Sequence, residues 1–198
     1  LTSVHVELLD GHINSITRFK LFPPKARNGK NEIFVTSLLN ELGFLAPRTF
    51  TVSANINGLS EEYTFQEDLR KELLENSKLV EGPILEGDER FTGRLKDDEA
   101  MPSLSLSRII NRNFSLRGET NEKIALLAVS NLNLMYLQHH QTKDPNFDYA
   151  LKKFYINTDK FFIDELNRER FQTFDSLMYA LDALAGLSYD DRRFYFDP

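Results

Sequence analysis

The segment TFTVSANINGLSEEYTFQEDLRKELLE, residues 49–75, changes its hydrophobic period once and without a loop. TFTVSANI and SEEYTFQ alternate with period two on either side of Asn57-Gly58. That pair suits a two-residue type I′ turn, whose central residues both need positive φ. DLRKELLE then follows a helical period and starts with no glycine or proline. A chain with this stretch must pair two antiparallel strands and lead the second straight into a helix. An all-helical bundle or a parallel βαβ sheet accommodates that poorly.

The N-terminal stretch repeats the theme. LTSVHVELL alternates and is followed by Asp10-Gly11, a hairpin signal, with HINSITRFKLF as the expected return strand. Alternation places Arg18 and Lys20 on one face of that strand and Phe19 and Leu21 on the other. Pro23-Pro24 ends it, and KARNGK is a basic loop. Asn31 is the expected N-cap of a helix from Glu32 to Leu42, with Gly43 as its stop. Phe34, Leu38 and Leu42, with Val35 and Leu39, give that helix an apolar face expected to lie on the sheet. The order is strand, strand, helix, strand, strand, helix. Neither G-x-G-x-x-G nor G-x-x-x-x-G-K-[ST] occurs. The economical arrangement pairs residues 1–22 and 49–66 in one small antiparallel sheet carrying one helix.

The remainder reads differently. VEGPILEGDERFTGRLKDDEAMP, rich in glycine, proline and acids, has the composition of a long loop or linker. KIALLAVSNLNLMYLQ is apolar enough around its circumference to predict a helix buried on most sides. Leu166, Phe171, Phe174, Leu177, Met178, Leu181 and Leu184 predict one or two packed helices between Phe161 and Leu184. The expectation is therefore an α+β, two-lobed chain: a β-rich lobe over 1–67 and a mainly helical lobe over 68–198.

Composition removes several functions. The chain has 198 residues and a formal net charge of -6, which argues against general affinity for nucleic acid or anionic lipid. It contains no cysteine, which excludes disulfides, thiolate metal sites and a cysteine nucleophile. No apolar run approaches the ~20 residues of a membrane span. Leu1 already sits in an alternating pattern, and FYFDP stops just after an aromatic run, so the chain is expected to be part of a longer protein, incomplete at its C-terminus. Lys20, Lys25, Arg27 and Lys30 form a local basic cluster of the kind usually found solvated. His139 and His140 are adjacent on a helix and point about 100° apart, which disfavours a shared metal. The acids of EGPILEGDERFTGRLKDDE lack EF-hand spacing.

Three stretches carry a resemblance to a known family. FKLF is a strand with a lysine; SLLNELGFLAPRTFTVSANING is a helix, an LG-x-x-AP turn and a strand ending in Asn-Gly; YTFQEDLRKELLE is a strand, an acid and a helix. Together they resemble the CotH-type kinases, atypical protein kinases named for a bacterial spore-coat protein. The likeness is good over roughly residues 12 to 90 and thin from 91 to 180. More distantly, GLSYDDRRFYFDP resembles the family's catalytic-loop region.

The resemblance implies a two-lobed kinase-like fold that moves phosphate from ATP to protein serine or threonine with Mg2+ or Mn2+. Its partners would be a nucleotide and a protein acceptor. An extracytoplasmic or cell-surface setting is compatible with it, although the chain itself names no compartment. Carried over by position, Lys20 resembles the strand lysine that meets the phosphates, and its positive charge suits that duty. Glu32 and Glu41 are both able to hold that lysine, and Glu67 matches the acid at the hinge between lobes. Asp190 would act as base and Asp191 as metal contact, although the two could exchange roles. The pattern departs from the family at Ala185 and Gly186, where the first catalytic residue would be sought. A catalytically inactive kinase-like module, binding a partner through the acidic loop and the charged helix, is therefore the alternative expectation.

Overall fold

The structure, a computed structural model, describes residues 2–88, 106–141, 162, 164–188 and 191–198. It divides into two units, Leu1–Glu81 and Gly82–Pro198. The first begins with strands β1 (Val4–Glu7) and β2 (Arg18–Phe22), helix α1 (Lys30–Glu41) and strands β3 (Thr49–Ile56) and β4 (Leu59–Glu67). It closes with the short helix α2 (Lys71–Asn76). All strand pairs are antiparallel, in the order β1-β2-β4-β3. The sheet expected from residues 1–22 and 49–66 is thus present. The division falls after Glu81, so α2, with Leu73 and Leu74 fully buried, belongs to the first unit.

Turn chemistry explains one hairpin simply. Asn57 and Gly58 have φ of 54° and 84°, and Ile56 pairs with Leu59 across them, as a type I′ turn requires. No atom lies within 4 Å of where a Gly58 Cβ would sit, so only the backbone angle resists a side chain there. Gly58→Ala should cost about 1–2 kcal/mol. A urea titration should show this as a lower midpoint at unchanged slope, and an unmoved midpoint would mean that the turn is not strained by a Cβ.

The first hairpin reverses elsewhere than expected. Asp10-Gly11 makes only a local bend, in which Gly11 N donates to Asp10 Oδ1 at 2.9 Å. The reversal lies at Asn14-Ser15, with φ of 51° and 63°, between Ile13 and Ile16, which exchange backbone bonds of 3.0 and 2.8 Å. This choice buries Ile16 beneath the sheet's apolar face.

That face is built from Phe19, Leu21, Tyr63 and Phe65, with Val4, Val6, Phe50 and Val52 around them. Phe65 stacks between Phe19 and Phe50, with ring centroids 4.4 and 4.5 Å away. The opposite face is presented to α1 and carries Thr49, Thr51 and Thr64 in register with Gln66 and Phe22. Small threonines offer the helix little apolar surface, and the α1 expectation fails accordingly. Thr36 is its buried residue, whereas Phe34 and Leu42 are 59% and 50% exposed. The helix also starts earlier, at Lys30, with Gly29 rather than Asn31 in the capping position.

The second unit holds a sheet that the sequence pattern did not reveal. Strand β5 (Ile84–Gly87) lies between β6 (Ser107–Ile109) and β7 (Arg193–Tyr195), all antiparallel. Helices α3 (Glu119–Gln141) and α4 (Glu165–Ala180) complete it. Leu85 packs with Ala128, Leu132, Met135, Tyr136 and Phe171, and Phe194 lies against the same cluster. Buried Asn111 stitches the start of β5 in place, accepting from Ile84 N at 2.8 Å and donating to Gly82 O at 2.9 Å. A Cβ on Gly82 would lie 2.4 Å from the Phe196 carbonyl, so only glycine fits this approach. Helix α3 buries one side only: Leu126, Leu127, Leu134 and Leu137 are exposed, contrary to burial on most sides.

Candidate functional site

The strand lysine sits inside a row set by register. His5, Lys20, Gln66 and Thr49 are successive cross-strand partners through β1, β2, β4 and β3, so their side chains share the α1 face. Gln66 Nε2 donates to Glu32 Oε1 at 2.7 Å, fixing α1 above the row. Of the two helix acids, Glu32 is therefore the one brought to this row. Glu41 is exposed nine residues further along α1, about 13.5 Å at 1.5 Å per residue.

One step past Gln66, alternation turns Glu67 to the other face, opposite Phe19. Its carboxylate is 1% exposed and gripped by Arg48, with Nε–Oε2 at 2.8 Å and Nη2–Oε1 at 2.7 Å. Arg48 Nη1 also donates to the Asn14 carbonyl at 2.7 Å, tying the first turn to the end of β4. The Glu67 hydrogen bonds raise the Arg48 pKa above its ordinary value, against the opposing effect of burial. Lys20 and Glu67 thus do not converge as side chains. The backbone N–H of Glu67 donates to Arg48 O, and that of Asp68 to Arg18 O, each at 3.0 Å. A base bound at this junction would have to use other backbone groups.

Asp68, which the sequence reading passed over, returns to the Lys20 face. Its side chain is 11% exposed, 3.3 Å from Arg70 Nε and 3.4 Å from His5 Nε2. Burial alone would raise its pKa, but the charges of Lys20, Arg70 and His5 outweigh burial and hold it below the usual carboxylate value. The signal was available, because a residue two past Gln66 shares its face once β4 is aligned with β2.

The proposed catalytic loop lies in the second unit. Asp190 falls outside the described residues. Asp191 is exposed in the turn before β7, with Ser188 Oγ 3.4 Å from its Oδ2. Its arginine neighbours have other partners. Arg192 is buried against Asp175 and over the rings of Phe171 and Phe174, at 4.4 and 5.1 Å. Arg193 joins Arg108 on the buried carboxylate of Glu86. Ala185 and Gly186 occupy a short 3-10 turn, Leu184–Leu187. His139 and His140 fall in the last turn of α3. Among the described residues no three His, Asp or Glu side chains gather as a metal site, and no helix is long and apolar enough to cross a membrane.

Neither a scan against protein-family models nor a search of curated proteins found a match to this chain.

Proposed function

We propose that the chain is a kinase-like, ATP-dependent phosphotransferase of the CotH type, acting on serine or threonine of a protein with Mg2+ or Mn2+. One observation supports this reading above the others. The lysine-bearing β2 is followed by α1, and the next hairpin returns so that β4 lies directly beside β2. This brings Lys20, Gln66 and the α1 acid Glu32 to one face at the end of the sheet. A protein-kinase site uses such parts, a strand lysine on the phosphates and a following helix that supplies an acid.

In this proposal the ammonium of Lys20 offsets phosphate charge, and Asp190 takes the proton of the acceptor hydroxyl. Among the described residues Asp191 is exposed and makes no ion pair with an arginine, which fits a carboxylate able to take a cation. Mg2+ commonly takes only one or two carboxylates, with phosphates and water completing its shell. The bound ion would supply charge neutralisation at the phosphates. The second reading, a catalytically silent module that binds a partner, draws on Ala185 and Gly186, which bring no functional group to the turn where a catalytic side chain is sought.

Calorimetry with Mg-ATP on the longest chain containing these residues, paired with radiolabelled phosphate transfer, decides between them. Loss of one charge-assisted contact of about 1.5–3 kcal/mol should make Lys20→Ala bind Mg-ATP roughly ten- to a hundredfold more weakly. Unchanged affinity would return Lys20 to the status of a surface residue. Absence of binding and transfer in the unaltered protein would leave the silent module.

A further inference from the structure

The two edges of the first sheet differ in how they are protected. Glu67 N donates to Arg48 O, so the β3–β4 ladder bonds at Arg48 and at every second residue after it. Phe50, Val52, Ala54 and Ile56 therefore turn their backbone groups towards β4, and Thr49, Thr51, Ser53 and Asn55 turn theirs away. Thr49 is buried, whereas Thr51, Ser53 and Asn55 are exposed. Among the described residues none of these three has a backbone partner on the outer side. Strand β3 runs eight residues with no proline, charged side chain or bulge, the features that keep an edge from pairing. The other edge has such protection. Strand β1 is four residues long, and its outward backbone groups belong to His5 and Glu7.

The open edge is also complementary to itself. Its free N–H and carbonyl groups, on Thr51, Ser53 and Asn55, are centred on Ser53. An antiparallel copy with Ser53 on the two-fold axis sets Ser53 opposite Ser53 and Thr51 opposite Asn55, each pair exchanging both backbone bonds. On the other face Val52 then meets Ala54, and Phe50 meets Ile56. These four side chains are half-buried and already pack against Phe19, Leu21, Tyr63 and Phe65, so the pairing joins two apolar faces into one. An axis through Val52 would instead need the outward groups of Thr49, which is enclosed. No charged side chain of β3 meets its own copy in this register.

We infer that the free edge of β3 takes a second copy of this chain, antiparallel, with Ser53 on the two-fold axis. A single strand pair is smaller than the ~800 Å² per partner of a standard interface, so the dimer is weak and its population follows protein concentration. The inference is independent of the phosphotransferase reading, because β3 carries none of the residues given a role there.

Sedimentation of the unaltered chain should give a mass that climbs from one copy towards two as concentration rises. Amide exchange at Thr51, Ser53 and Asn55 should slow in step, and Val52 and Ala54, already bonded to β4, should change far less. Ser53→Pro should abolish the concentration dependence, since it removes an outward donor and an edge strand tolerates proline there. An amide spectrum preserved across β2 and β4 would show that this variant folds. Single cysteines fix the register, because the chain has none of its own. Opposed Cα atoms of a bonded pair lie about 5.5 Å apart, within the range of a disulfide. Under mild oxidation Ser53→Cys should cross-link to itself. Thr51→Cys and Asn55→Cys should each stay single alone, their like positions lying roughly 13 Å apart along the strands, and should cross-link when mixed. A mass of one copy at every concentration overturns the inference, as does a dimer that persists in folded Ser53→Pro or equal cross-linking by all three cysteine variants alone. Slow exchange at the three amides without any rise in mass would put another segment or partner on this edge and overturn it too.

Discussion

Phe65→Ala should lower the stability of the first unit by about 3–5 kcal/mol, the cost of truncating a fully enclosed aromatic. Phe65 is 1% exposed and stacks on Phe19 and Phe50, so its loss removes both ring contacts together with the buried area. It sits on β4, which pairs with β2 on one side and β3 on the other. The cavity would therefore open where three strands meet, and rigid neighbours on paired strands collapse poorly into it. Because the chain has two units, amide hydrogen exchange is the better measure, read at Leu21, Val52 and Thr64. Protection there should fall by a factor of hundreds or more if these amides exchange by opening of the sheet. Phe65→Leu should retain most of the stability. A loss below about 1 kcal/mol in the alanine variant would mean that this aromatic stack is not the core of the unit.

Legibility of the fold followed the distance over which each decision is made. The β3–β4 hairpin could be read almost residue by residue, because Asn57-Gly58 satisfies a backbone demand within four residues. The β1–β2 turn could not. Asp10-Gly11 and Asn14-Ser15 are both competent locally, and the choice is made by Ile16, which is buried only with the later reversal. The inward side of α1 was misjudged for a related reason. Helical spacing identifies an apolar face, but the partner sheet presents threonines, which are visible only once β3 and β4 are in register. Strand β5 was missed because ILEG is four residues between a Gly-Pro pair and an acidic stretch. Its complete burial depends on β6 and on β7, more than a hundred residues away in sequence.

The candidate site was legible in part. Lys20 was singled out with Glu32 and Glu41 as alternative helix acids, and the sheet aligns Lys20 with Gln66, which binds Glu32, whereas Glu41 lies exposed further along α1. Glu67 entered through the family resemblance, and its face was not legible because a sequence does not show at which residue a strand stops alternating. Strand β4 runs through Glu67, one residue beyond the predicted YTFQ, and each further strand residue changes the face on which the next acid falls.

That assignment leads to an expected result for Glu67 itself. Glu67→Ala leaves Arg48 without the carboxylate that meets two of its guanidinium nitrogens, in a place where Glu67 is almost completely enclosed. Removing one partner of a buried pair costs about 3–5 kcal/mol. Arg48 is 22% exposed and keeps its bond to Asn14 O, so part of its charge can still reach water, which favours the lower end of that range. Replacing both residues with apolar ones, as in Arg48→Met with Glu67→Leu, should recover much of the loss, because no charge is then stranded. A double-mutant cycle by urea denaturation would show strong coupling. The same variants carry a functional reading. If the carboxylate's role is confined to the clamp, the folded double variant should bind Mg-ATP as the unaltered protein does, whereas Lys20→Ala should not. Weaker nucleotide binding in a double variant of unimpaired stability would instead give Glu67 a direct part in the site, on the face opposite Lys20.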